Sequence, residues 1–401
     1  MRRIIYAWNY LEWGGAQIHI LALIKEVRKE FAVLILLPQG SNAQFIGFLE
    51  SFGVEYRLFE PPIDTQPATT LARKIERHWR KWKSERAMLR ELDHIGIDDA
   101  ILHVDLAPQQ SLLSLIRLCR RTKVFITLHN PLPTVPRWRE MIWKFKFRTI
   151  SSHPNFNIFC SNKDAKRYFS RYVGPKSVPQ MRVTYTSVNP PEIEAALAAD
   201  LNKEAVLEQH GLSGDKLTVL AVGQFIDRKG RWAFLEAASL VLETNPDIQF
   251  IWMAPELPGA RDTTAIKKMQ LNDSFKLILS ADVGSNREQI LRFFRIANIF
   301  ALPSLVEGLP IALLEAMALG IPSISTNVNG IPEAIRDGET GILIEAGDSK
   351  ALAYAIDRLA TDADLRTRLS AAGREYVLKH FDERVVAKMV LQCYEASFDH
   401  K

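Results

Sequence analysis

Short apolar strands alternate with helical segments in two separate series, and this pattern constrains the fold more than any other feature of the chain. The first series begins with a strand at Ile4 to Trp8 and a helix at Ala16 to Lys29. Its later strands are predicted at Ala100 to Val104, Val124 to His129, Asn157 to Cys160 and Arg182 to Tyr185. After a polar, alanine-rich connection from Thr186 to Leu217, the second begins with a strand at Leu217 to Gly223 and a helix at Arg231 to Glu243. Strands that alternate with helices form parallel sheets with helices on both faces. The sequence therefore predicts an α/β fold with two doubly wound domains, and ligands outside the carboxyl ends of the strands.

Length, cysteine content and hydropathy narrow the class of protein. With 401 residues, of which 47% are hydrophobic, the chain is long enough for two or three domains. Cys119, Cys160 and Cys393 are widely spaced and form no metal or redox pattern, so we expect free thiols in a reducing compartment. The first apolar run ends at Glu12 and Gly14, which indicates a strand rather than a signal peptide. No run of apolar residues is long enough to span a membrane, so we expect a cytoplasmic protein.

The net charge of +5 is modest, but basic residues concentrate with tryptophan and phenylalanine in two segments, Leu71 to Leu92 and Arg137 to Arg148. Helical spacing places the apolar residues of the first segment on one face: Leu71, Ile75, Trp79, Trp82 and Leu89. Two interpretations remain open. Either Trp79 and Trp82 face the protein core, or the segments form a surface for anionic lipid headgroups or an acidic acceptor. No nucleic-acid recognition motif accompanies the charge, so we expect no nucleic-acid partner.

Two carboxylates, Glu307 and Glu315, lie on either side of a predicted helix start. Pro310 suits the first position of that helix because its φ angle is fixed and it lacks an N–H group. Helical side chains lean toward the helix N-terminus, so Glu315 would overhang Ile311 and Ala312 beside unpaired backbone N–H groups. A diphosphate can bind such N–H groups, while Glu315 accepts hydrogen bonds from a ribose and Glu307 reaches an attached sugar. The pair alone is also common on solvated surfaces.

The residues around Glu307 and Glu315 make the interpretation of this pair more specific. From Glu307 the sequence reads EGLPIALLEAMALGIP, which resembles the E-G-[FL]-[GP]-x4-E-A-M-A-x-G-x-P signature of the retaining GT-B glycosyltransferases of family 4 (glycosyl transferases group 1). The resemblance covers nearly the whole chain. It implies two Rossmann-like domains facing a central cleft: an acceptor-binding domain at residues 1–189 and a nucleotide-sugar-binding domain at residues 190–382. It also implies that the last helix, within residues 383–401, packs back onto the first domain.

The segment VGQFIDRKG resembles the family's G-R-x(3,4)-K-G segment, whose arginine and lysine contact the diphosphate of the donor. Lys229 matches the lysine. Gln224 stands at the arginine position, and Arg228 is the candidate replacement for the missing charge. Because arginine has a permanently charged, planar group that glutamine lacks, donor affinity or leaving-group stabilisation is expected to differ from that of other family members.

Two further segments resemble the family in the first half of the chain. Gly14-Gly15-Ala16-Gln17 is similar to its G-G-[AS]-[EQ] loop, where glycine lets the backbone approach the phosphate or the acceptor, and we assign this role to Gly15. Thr127 to Asn130 is similar to T-x-H-[DN], whose histidine lines the donor-sugar side of the cleft. This indicates His129, although His103 on the preceding strand is a competing candidate.

The resemblance implies a hexosyltransferase that moves a sugar from a UDP- or GDP-linked donor to a glycan or lipid-linked acceptor in polysaccharide biosynthesis. It implies retention of anomeric configuration by front-face attack, without a cofactor or a metal. The catalytic residues would be His129, Lys229 and Glu307. The donor-binding residues would be Gly15, Arg228, Lys229, Glu307, Gly308, Leu309, Ile311, Ala312 and Glu315. The protein would act in the cytoplasm, either free or peripheral on the inner face of the membrane.

Two other functions remain open from the sequence. A nucleotide-sugar 2-epimerase shares the fold, but it would carry more acidic and histidine residues for catalysis in both domains. A non-catalytic, membrane-bound partner of another transferase would tolerate Gln224. The products formed from a nucleotide sugar distinguish these functions: free sugar indicates a transferase, a changed sugar on intact nucleotide an epimerase, and no product a partner.

Overall fold

The structure is a computed structural model that describes residues 2–8, 15–60, 71–269, 271–284 and 286–399. The strands in this part of the chain are β1 (Arg3–Ala7), β2 (Ala32–Pro38), β3 (Glu55–Phe59), β4 (Ala100–Val104), β5 (Val124–Leu128), β6 (Phe156–Cys160), β7 (Arg182–Val183), β8 (Leu217–Val222), β9 (Ile248–Ala254), β10 (Phe275–Leu279), β11 (Ile299–Leu302), β12 (Ser323–Thr326) and β13 (Ile342–Ile344). The helices are α1 (Gly15–Glu30), α2 (Ala43–Ser51), α3 (Leu71–Ile95), α4 (Pro108–Cys119), α5 (Arg137–Ser151), α6 (Lys163–Phe169), α7 (Pro190–Ala198), α8 (Lys203–Gln209), α9 (Arg231–Thr244), α10 (Ala260–Lys268), α11 (Ser280–Val283), α12 (Arg287–Phe294), α13 (Ile311–Ala318), α14 (Ile331–Ala334), α15 (Ser349–Thr361), α16 (Ala363–His380) and α17 (Glu383–Asp399).

The chain divides into two compact units. The first comprises Met1–Tyr185 and Arg384–Lys401, and the second comprises Thr186–Glu383. Each unit is built on a parallel sheet with helices packed against it, so the prediction of two doubly wound α/β domains is confirmed.

The first unit contains a seven-stranded sheet in the order β3-β2-β1-β4-β5-β6-β7, in which every pair is parallel. Successive residues of β1 point to opposite faces of this sheet. Ile5 and Ala7 pack with buried residues of α3, α4, α5 and α6. Ile4 and Tyr6 pack with buried residues of α1, α2 and α17. Both faces of the sheet are therefore covered by helices, as apolar strands without alternating polar residues require.

The second unit contains a six-stranded parallel sheet in the order β10-β9-β8-β11-β12-β13. Phe250 and Trp252 of β9 pack with buried residues of α9 and α15 on one face. The strand order reverses beside β8, which lies between β9 and β11. Ligands of open α/β sheets bind beyond the carboxyl ends of the strands at such a reversal. A ligand site in this unit is therefore expected at the loops that follow β8 and β11.

Several details of the sequence-based assignment are wrong. The polar, alanine-rich connection before β8 contains two helices, α7 and α8, that the sequence-based assignment omitted. Asn189 caps α7 by accepting a hydrogen bond from the N–H of Glu192, and Pro190 occupies its first position, a signal of a helix start that is present in the sequence. The strand predicted to reach His129 ends at Leu128, and the one predicted over residues 182–185 is only Arg182–Val183. The short strands β3 and β13 were not anticipated.

The last helix, α17, contributes to the core of the first unit. Its apolar residues Val386, Ala387 and Val390 are buried against the face that α1 and α2 also cover. Tyr394 is fully buried on the same helix. Within the part of the chain that the structure describes, no helix is both long and apolar enough to cross a membrane.

Candidate functional site

The loops that follow β8 and β11 are fastened to each other in the second unit. The backbone N–H of Leu305 donates a hydrogen bond to the carbonyl oxygen of Arg228 at 2.8 Å. Gly230 adopts a φ of 75°, and a Cβ atom at this position would lie 1.8 Å from the carbonyl oxygen of Pro303. Only glycine permits both this φ angle and this approach. The Asp227–Lys229 turn is therefore held directly against the loop that carries Glu307.

Two cations meet one carboxylate where these loops touch. The Nζ atom of Lys229 lies 2.7 Å from Oε2 of Glu307, and a terminal nitrogen of Arg228 lies 3.6 Å from the same oxygen. Arg228 also donates to the carbonyl oxygen of Val306 at 3.3 Å, and the hydroxyl of Ser304 donates to Glu307 at 3.2 Å. The side chains of Lys229 and Glu307 are largely buried. At this contact two positive charges face one negative charge, while Asp227 of the same turn is paired with Arg231 at 2.9 Å. The local excess of positive charge beside Glu307 favours an anionic ligand.

Asn329 supports the same loop from the turn after β12. Its side-chain oxygen accepts a hydrogen bond from the backbone N–H of Glu307 at 3.3 Å. It has a φ of 46°, and among the described residues other than glycine no other has a positive φ. Asparagine tolerates this left-handed conformation better than most residues. Sequence reasoning did not identify Asn329, although the Asn-Gly pair at residues 329–330 is a turn signal.

Helix α13 begins one residue later than predicted. Pro310 has φ −72° and ψ 123°, so it precedes the helix as its cap and Ile311 is the first helical residue. The fixed φ of proline suits either position, and the extended ψ angle decides between them. Among the described residues, no acceptor pairs with the backbone N–H groups of Ile311 and Ala312. The predicted arrangement of free N–H donors at this helix start is therefore present in the structure.

Glu315 lies in the second turn of α13 and is almost fully buried. Its Oε1 atom accepts a hydrogen bond from a terminal nitrogen of Arg287, the first residue of α12. The Nε atom of Arg287 donates to Glu192 of α7 at 2.9 Å. Burial raises the pKa of Glu315, while the adjacent guanidinium opposes this rise. One partly buried arginine therefore bridges two carboxylates from different helices.

Sequence reasoning missed Arg287, although a local signal fixes its position. The side chain of Asn286 accepts from the N–H of Gln289, and Gln289 accepts from the N–H of Asn286, which forms a capping box. This cap starts α12 at Arg287. The sequence contains the cap, but it does not indicate which carboxylate the arginine contacts.

In the first unit, α1 begins at Gly15, whereas Gly14 lies outside the described residues. His129 follows the end of β5, and its ring contacts that of His19 of α1 edge-on, with 5.9 Å between the ring centroids. Burial lowers the pKa of His129 to about 4 and that of His19 to about 3. Both rings are therefore neutral at pH 7. Within the described part of the chain, neither ring nitrogen of His19 has a hydrogen-bond partner.

His103, the competing candidate, is held in the core of the first unit. Its Nδ1 atom lies 2.6 Å from the hydroxyl of Tyr394 in α17, and its Nε2 atom lies 2.9 Å from the hydroxyl of Thr127 in β5. Tyr6 stacks on its ring, and burial lowers its pKa to about 3. With both nitrogens engaged by protein hydroxyls, His103 links α17 to the sheet, a structural role.

The predicted site residues thus divide between the two units. Gly15 and His129 belong to the first unit. The second unit brings Arg228, Lys229 and Glu307 together, and its remaining predicted residues lie in the loop and first turns of α13: Gly308, Leu309, Ile311, Ala312 and Glu315. A search of the described residues finds no group of three or more His, Cys, Asp or Glu side chains arranged to hold a metal ion.

The two basic segments form α3 and α5 on one face of the first sheet, and both helices contact α4. The interpretation that Trp79 and Trp82 face the core is wrong, because these side chains are 54% and 51% exposed. Leu89 of the predicted apolar face is buried, and the side chains of Leu71 and Ile75 lie outside the described part of the chain. The helical period was correct, but it does not specify how much of a face the core covers.

The exposed apolar side chains of these helices are accompanied by cations. Lys83 lies over the ring of Trp79 at 3.5 Å from its centroid, and Arg86 lies over the ring of Trp82 at 4.6 Å. On α5 and α4 the exposed apolar side chains are those of Trp138, Met141, Ile142, Phe145 and Leu113. We call these exposed side chains, with the lysine and arginine residues of α3 and α5, the basic-aromatic surface.

Comparison with known sequences finds a family match within the second unit. Residues 202–376 match the family model for glycosyl transferases group 1. The chain is 33% identical over 187 residues to the amylovoran biosynthesis glycosyltransferase AmsK of Erwinia amylovora, covering 45% of this chain and 44% of that protein. It is 29% identical over 197 residues to the D-inositol 3-phosphate glycosyltransferase of Streptomyces scabiei (strain 87.22), covering 48% of this chain and 44% of that protein. In these matches the chain spans about half the length of the curated relatives.

Solved structures match over the whole chain at lower identity. The glycosyltransferase of Rickettsia africae ESF-5 aligns with a TM-score of 0.76 at 16% identity, covering 100% of this chain and 99% of the other. The Anabaena protein Alr3699/HepE in complex with UDP-glucose aligns with a TM-score of 0.75 at 16% identity, covering 98% and 99%. These likenesses show the fold, which is the GT-B fold of two Rossmann-like domains.

Proposed function

We propose that this chain is a nucleotide-sugar-dependent hexosyltransferase, a retaining GT-B enzyme of family 4 that adds sugar to a glycan or lipid-linked acceptor in polysaccharide biosynthesis. The observation that carries the proposal is the contact of Lys229 and Arg228 with Glu307, next to the unpaired N–H groups at the start of α13. Cations and free N–H groups together are what a diphosphate requires. The match of residues 202–376 to glycosyl transferases group 1 supports the same assignment.

In the proposed complex, a UDP- or GDP-linked donor binds the second unit. The diphosphate accepts hydrogen bonds from the N–H groups of Ile311 and Ala312 and takes part of the positive charge of Lys229 and Arg228. The sugar contacts Glu307 and the loop formed by Gly308 and Leu309, whereas the ribose hydroxyls donate to Glu315. Because Lys229 is paired with Glu307 in the structure, donor binding requires the lysine to share its charge between two anions.

Two positions of the family pattern affect this complex. The pattern allows glycine or proline at position 310, and Pro310 has no N–H group, so the backbone donor that glycine would offer to the sugar or phosphate is absent. Gln224 stands where the family has arginine, and Arg228 is the cation nearest to Lys229 in sequence. Arg228 is about two-fifths exposed and contacts Glu307 at 3.6 Å, so its side chain is accessible to a ligand at this loop. We therefore assign the second leaving-group contact to Arg228.

The proposed reaction breaks the bond between the anomeric carbon and the β-phosphate oxygen, and the electron pair leaves with the nucleoside diphosphate. Lys229, Arg228 and the N–H groups of α13 stabilise this negative charge. The acceptor hydroxyl attacks the same face of the sugar, and its proton passes to the departing phosphate oxygen. The new glycosidic bond then has the original anomeric configuration. These groups carry out the charge stabilisation that a divalent metal performs in other transferases, so we propose that neither metal nor cofactor is required.

The acceptor side of the proposal rests on the first unit. A neutral imidazole both donates and accepts hydrogen bonds, which suits His129 to contact sugar hydroxyl groups rather than phosphate. Gly15 begins α1, whose residue His19 contacts His129. We propose that these elements of the first unit bind the hydroxyl groups of sugars.

The basic-aromatic surface favours a membrane-proximal acceptor. Exposed tryptophan, phenylalanine and methionine side chains beside lysine and arginine residues are typical of a surface that lies at the headgroup level of an anionic bilayer. We propose that the protein associates reversibly with the cytoplasmic face of a membrane in this way and reaches a lipid-linked acceptor there.

The function is tested with a panel of UDP- and GDP-linked sugars. A donor at 100 times its Kd stabilises the protein by about 2.7 kcal/mol, which a thermal-shift assay detects. Each stabilising donor is then incubated with the protein, with and without EDTA, and the products are separated. Slow release of free sugar, unchanged by EDTA, supports a metal-independent transferase. A changed sugar on intact nucleotide indicates a 2-epimerase, and stabilisation by no donor indicates a non-catalytic partner.

A further inference from the structure

The bridge of Glu192, Arg287 and Glu315, of which Glu315 is buried and the other two are partly buried, has no part in the charge chemistry assigned to Lys229 and Glu307. It joins the first turns of α7 and α12 to the second turn of α13. Arg287 uses one terminal nitrogen for Glu315 and its Nε atom for Glu192. Only one oxygen of Glu315, Oε1, is engaged. Among the described residues, no protein donor is found for its second oxygen.

A buried carboxylate presents two difficulties for a ligand with two adjacent hydroxyl groups. Burial favours protonation, and a protonated carboxyl is a donor at one oxygen and a poorer acceptor for hydroxyl groups. An unrestrained side chain also loses conformational freedom when the ligand binds. A planar guanidinium beside the carboxylate resolves both, because it favours the ionised form of Glu315 and fixes the plane of its carboxylate.

The charged surroundings of Glu315 are few. Besides α12, which carries Arg287, the elements that pack most closely against α13 are α7, α16, β11 and β12, and the latter two contain no charged residue. From α7, Glu192 carries a like charge that further raises the pKa of Glu315. From α16, Arg374 donates to the carbonyl of Ala318 at the other end of α13 and pairs with Glu194 at 2.6 Å. Arg287 is therefore the cation that opposes both burial and Glu192 at Glu315.

We propose that Arg287 is a positioning residue that keeps Glu315 ionised and oriented, so that its remaining lone pairs accept the two ribose hydroxyls of the donor nucleotide. This inference rests on the proposed function, since it assumes that Glu315 binds ribose. A merely structural bridge that ties α7, α12 and α13 together is the competing explanation. The two explanations predict different results. Only a positioning role makes the preference for ribose hydroxyls, and the pH dependence of nucleotide affinity, depend on Arg287.

The test measures the affinities of UDP and GDP, and of their 2′-deoxy and 3′-deoxy forms, by calorimetry from about pH 5.5 to about pH 8. Wild-type protein should prefer the ribonucleotide over both deoxy forms at every pH. In Arg287→Gln, burial of Glu315 is no longer opposed by a cation, so its pKa rises. Affinity for the ribonucleotide should then fall about tenfold for each pH unit below that pKa and recover at high pH. The affinity for the deoxy forms should fall less over the same pH range.

Two variants separate positioning from structural support. Arg374→Gln removes an arginine from the opposite end of α13 and should leave both the ribose preference and the pH profile of binding as in the wild type. Glu192→Ala breaks the connection to α7 but keeps the pair of Arg287 with Glu315, so it should retain the ribose preference at low pH. Circular dichroism and thermal unfolding check that each variant is folded.

The results distinguish the inference from the function on which it rests. If folded Arg287→Gln keeps the wild-type ribose preference and a flat pH profile, or if Glu192→Ala loses affinity as severely as Arg287→Gln does, the positioning role is wrong. If wild-type protein binds the nucleotides but does not discriminate the deoxy forms, the ribose role of Glu315 is wrong. If it binds no nucleotide, the proposed function itself is wrong.

Discussion

The two units share one architecture but differ in the charge state of the polar groups at their strand ends. In the second unit, Lys229 and Glu307, and likewise Arg287 and Glu315, are buried as oppositely charged partners. In the first unit, the titratable side chains of His19 and His129 near the end of β5 are imidazoles that burial keeps uncharged. Charges that are removed from water must be paired, whereas an imidazole avoids that cost by releasing its proton.

This difference separates the chemical tasks that each unit can perform. Paired charges are held in place before a ligand arrives, and a diphosphate can share the cation of such a pair with its carboxylate. Neutral imidazoles offer hydrogen bonds to hydroxyl groups without attracting phosphate. The positive charge of the first unit is instead on its outside, in the basic-aromatic surface. The comparison therefore predicts separate consequences for substitutions in the two units.

The largest effect is expected at Lys229. Lys229→Ala removes a mostly buried cation from the departing diphosphate and should lower turnover by roughly 10²–10³-fold, as loss of one charge-stabilising donor does. Turnover is measured as sugar release or transfer with the donor found in the panel. Lys276→Ala is the control, since Lys276 is also paired with a carboxylate in the second unit, that of Asp273 at 3.2 Å, but lies outside the proposed site.

Arg228→Ala tests whether Arg228 replaces the arginine that the family carries at the position of Gln224. It should also lower turnover, by less than Lys229→Ala because Arg228 is farther from Glu307 and more exposed. A rate near that of the wild type would remove Arg228 from the site.

Substitution of Glu315 is expected to weaken nucleotide binding with little effect on the first unit. Glu315→Gln keeps the size of the side chain but removes the charge that accepts the ribose hydroxyls, which should cost about 1.5–3 kcal/mol of binding free energy. Calorimetric titration with the nucleoside diphosphate measures this loss. Unchanged affinity in the folded variant would contradict the assignment of Glu315 to the ribose.

The neutral histidines predict a pH dependence that originates in the first unit. The pKa of His19 is about 3 in the folded chain and 6.5 ordinarily, so between these values the unfolded chain binds a proton that the folded chain does not. The contribution of neutral His19 to the free energy of unfolding is fully present above pH 6.5. It decreases by about 1.4 kcal/mol per pH unit, the value for one histidine, as the pH falls toward about 3. His19→Phe should reduce this decrease.

The measurement compares the unfolding temperatures of wild type and His19→Phe at about pH 7.5 and about pH 5. The difference between the two temperatures should be smaller in the variant than in the wild type. His94→Phe, at an exposed position on α3, is the control and should behave as the wild type. An equal acid shift in all three proteins would assign the pH dependence to other groups.

The smallest effect is expected from the basic-aromatic surface. At low salt the protein should sediment with anionic vesicles and not with neutral ones, since each lysine or arginine near an anionic surface contributes about 1 kcal/mol that salt screens. The double substitution Trp79→Ser with Trp82→Ser should reduce recovery by removing interfacial anchors, whereas Tyr354→Ser, at an exposed aromatic of the second unit, should not. Equal recovery on neutral and anionic vesicles, or none on either, would favour a soluble acceptor.

Much of the fold followed from local sequence patterns. The apolar runs predicted β4 at its observed bounds and α9 to within one residue, because strand and helix periods depend on neighbouring residues only. The motif around Glu307 indicated a helix start with free N–H groups, which α13 provides. The exact start was wrong by one residue, because the ψ angle of Pro310 is set by the loop that packs around it and not by proline itself.

Contacts between distant segments required the tertiary structure. Lys229 meets Glu307 across 78 residues and Arg287 meets Glu315 across 28, and each contact depends on which strands and helices become neighbours. The exposure of Trp79 and Trp82 also required the tertiary structure, because a helical period identifies a face of a helix but not what covers that face. The sequence alone determined the α/β class, most elements and the chemical types at the site, since these depend on local backbone and side-chain preferences. The tertiary structure decided which charges are paired, because that depends on the path of the whole chain.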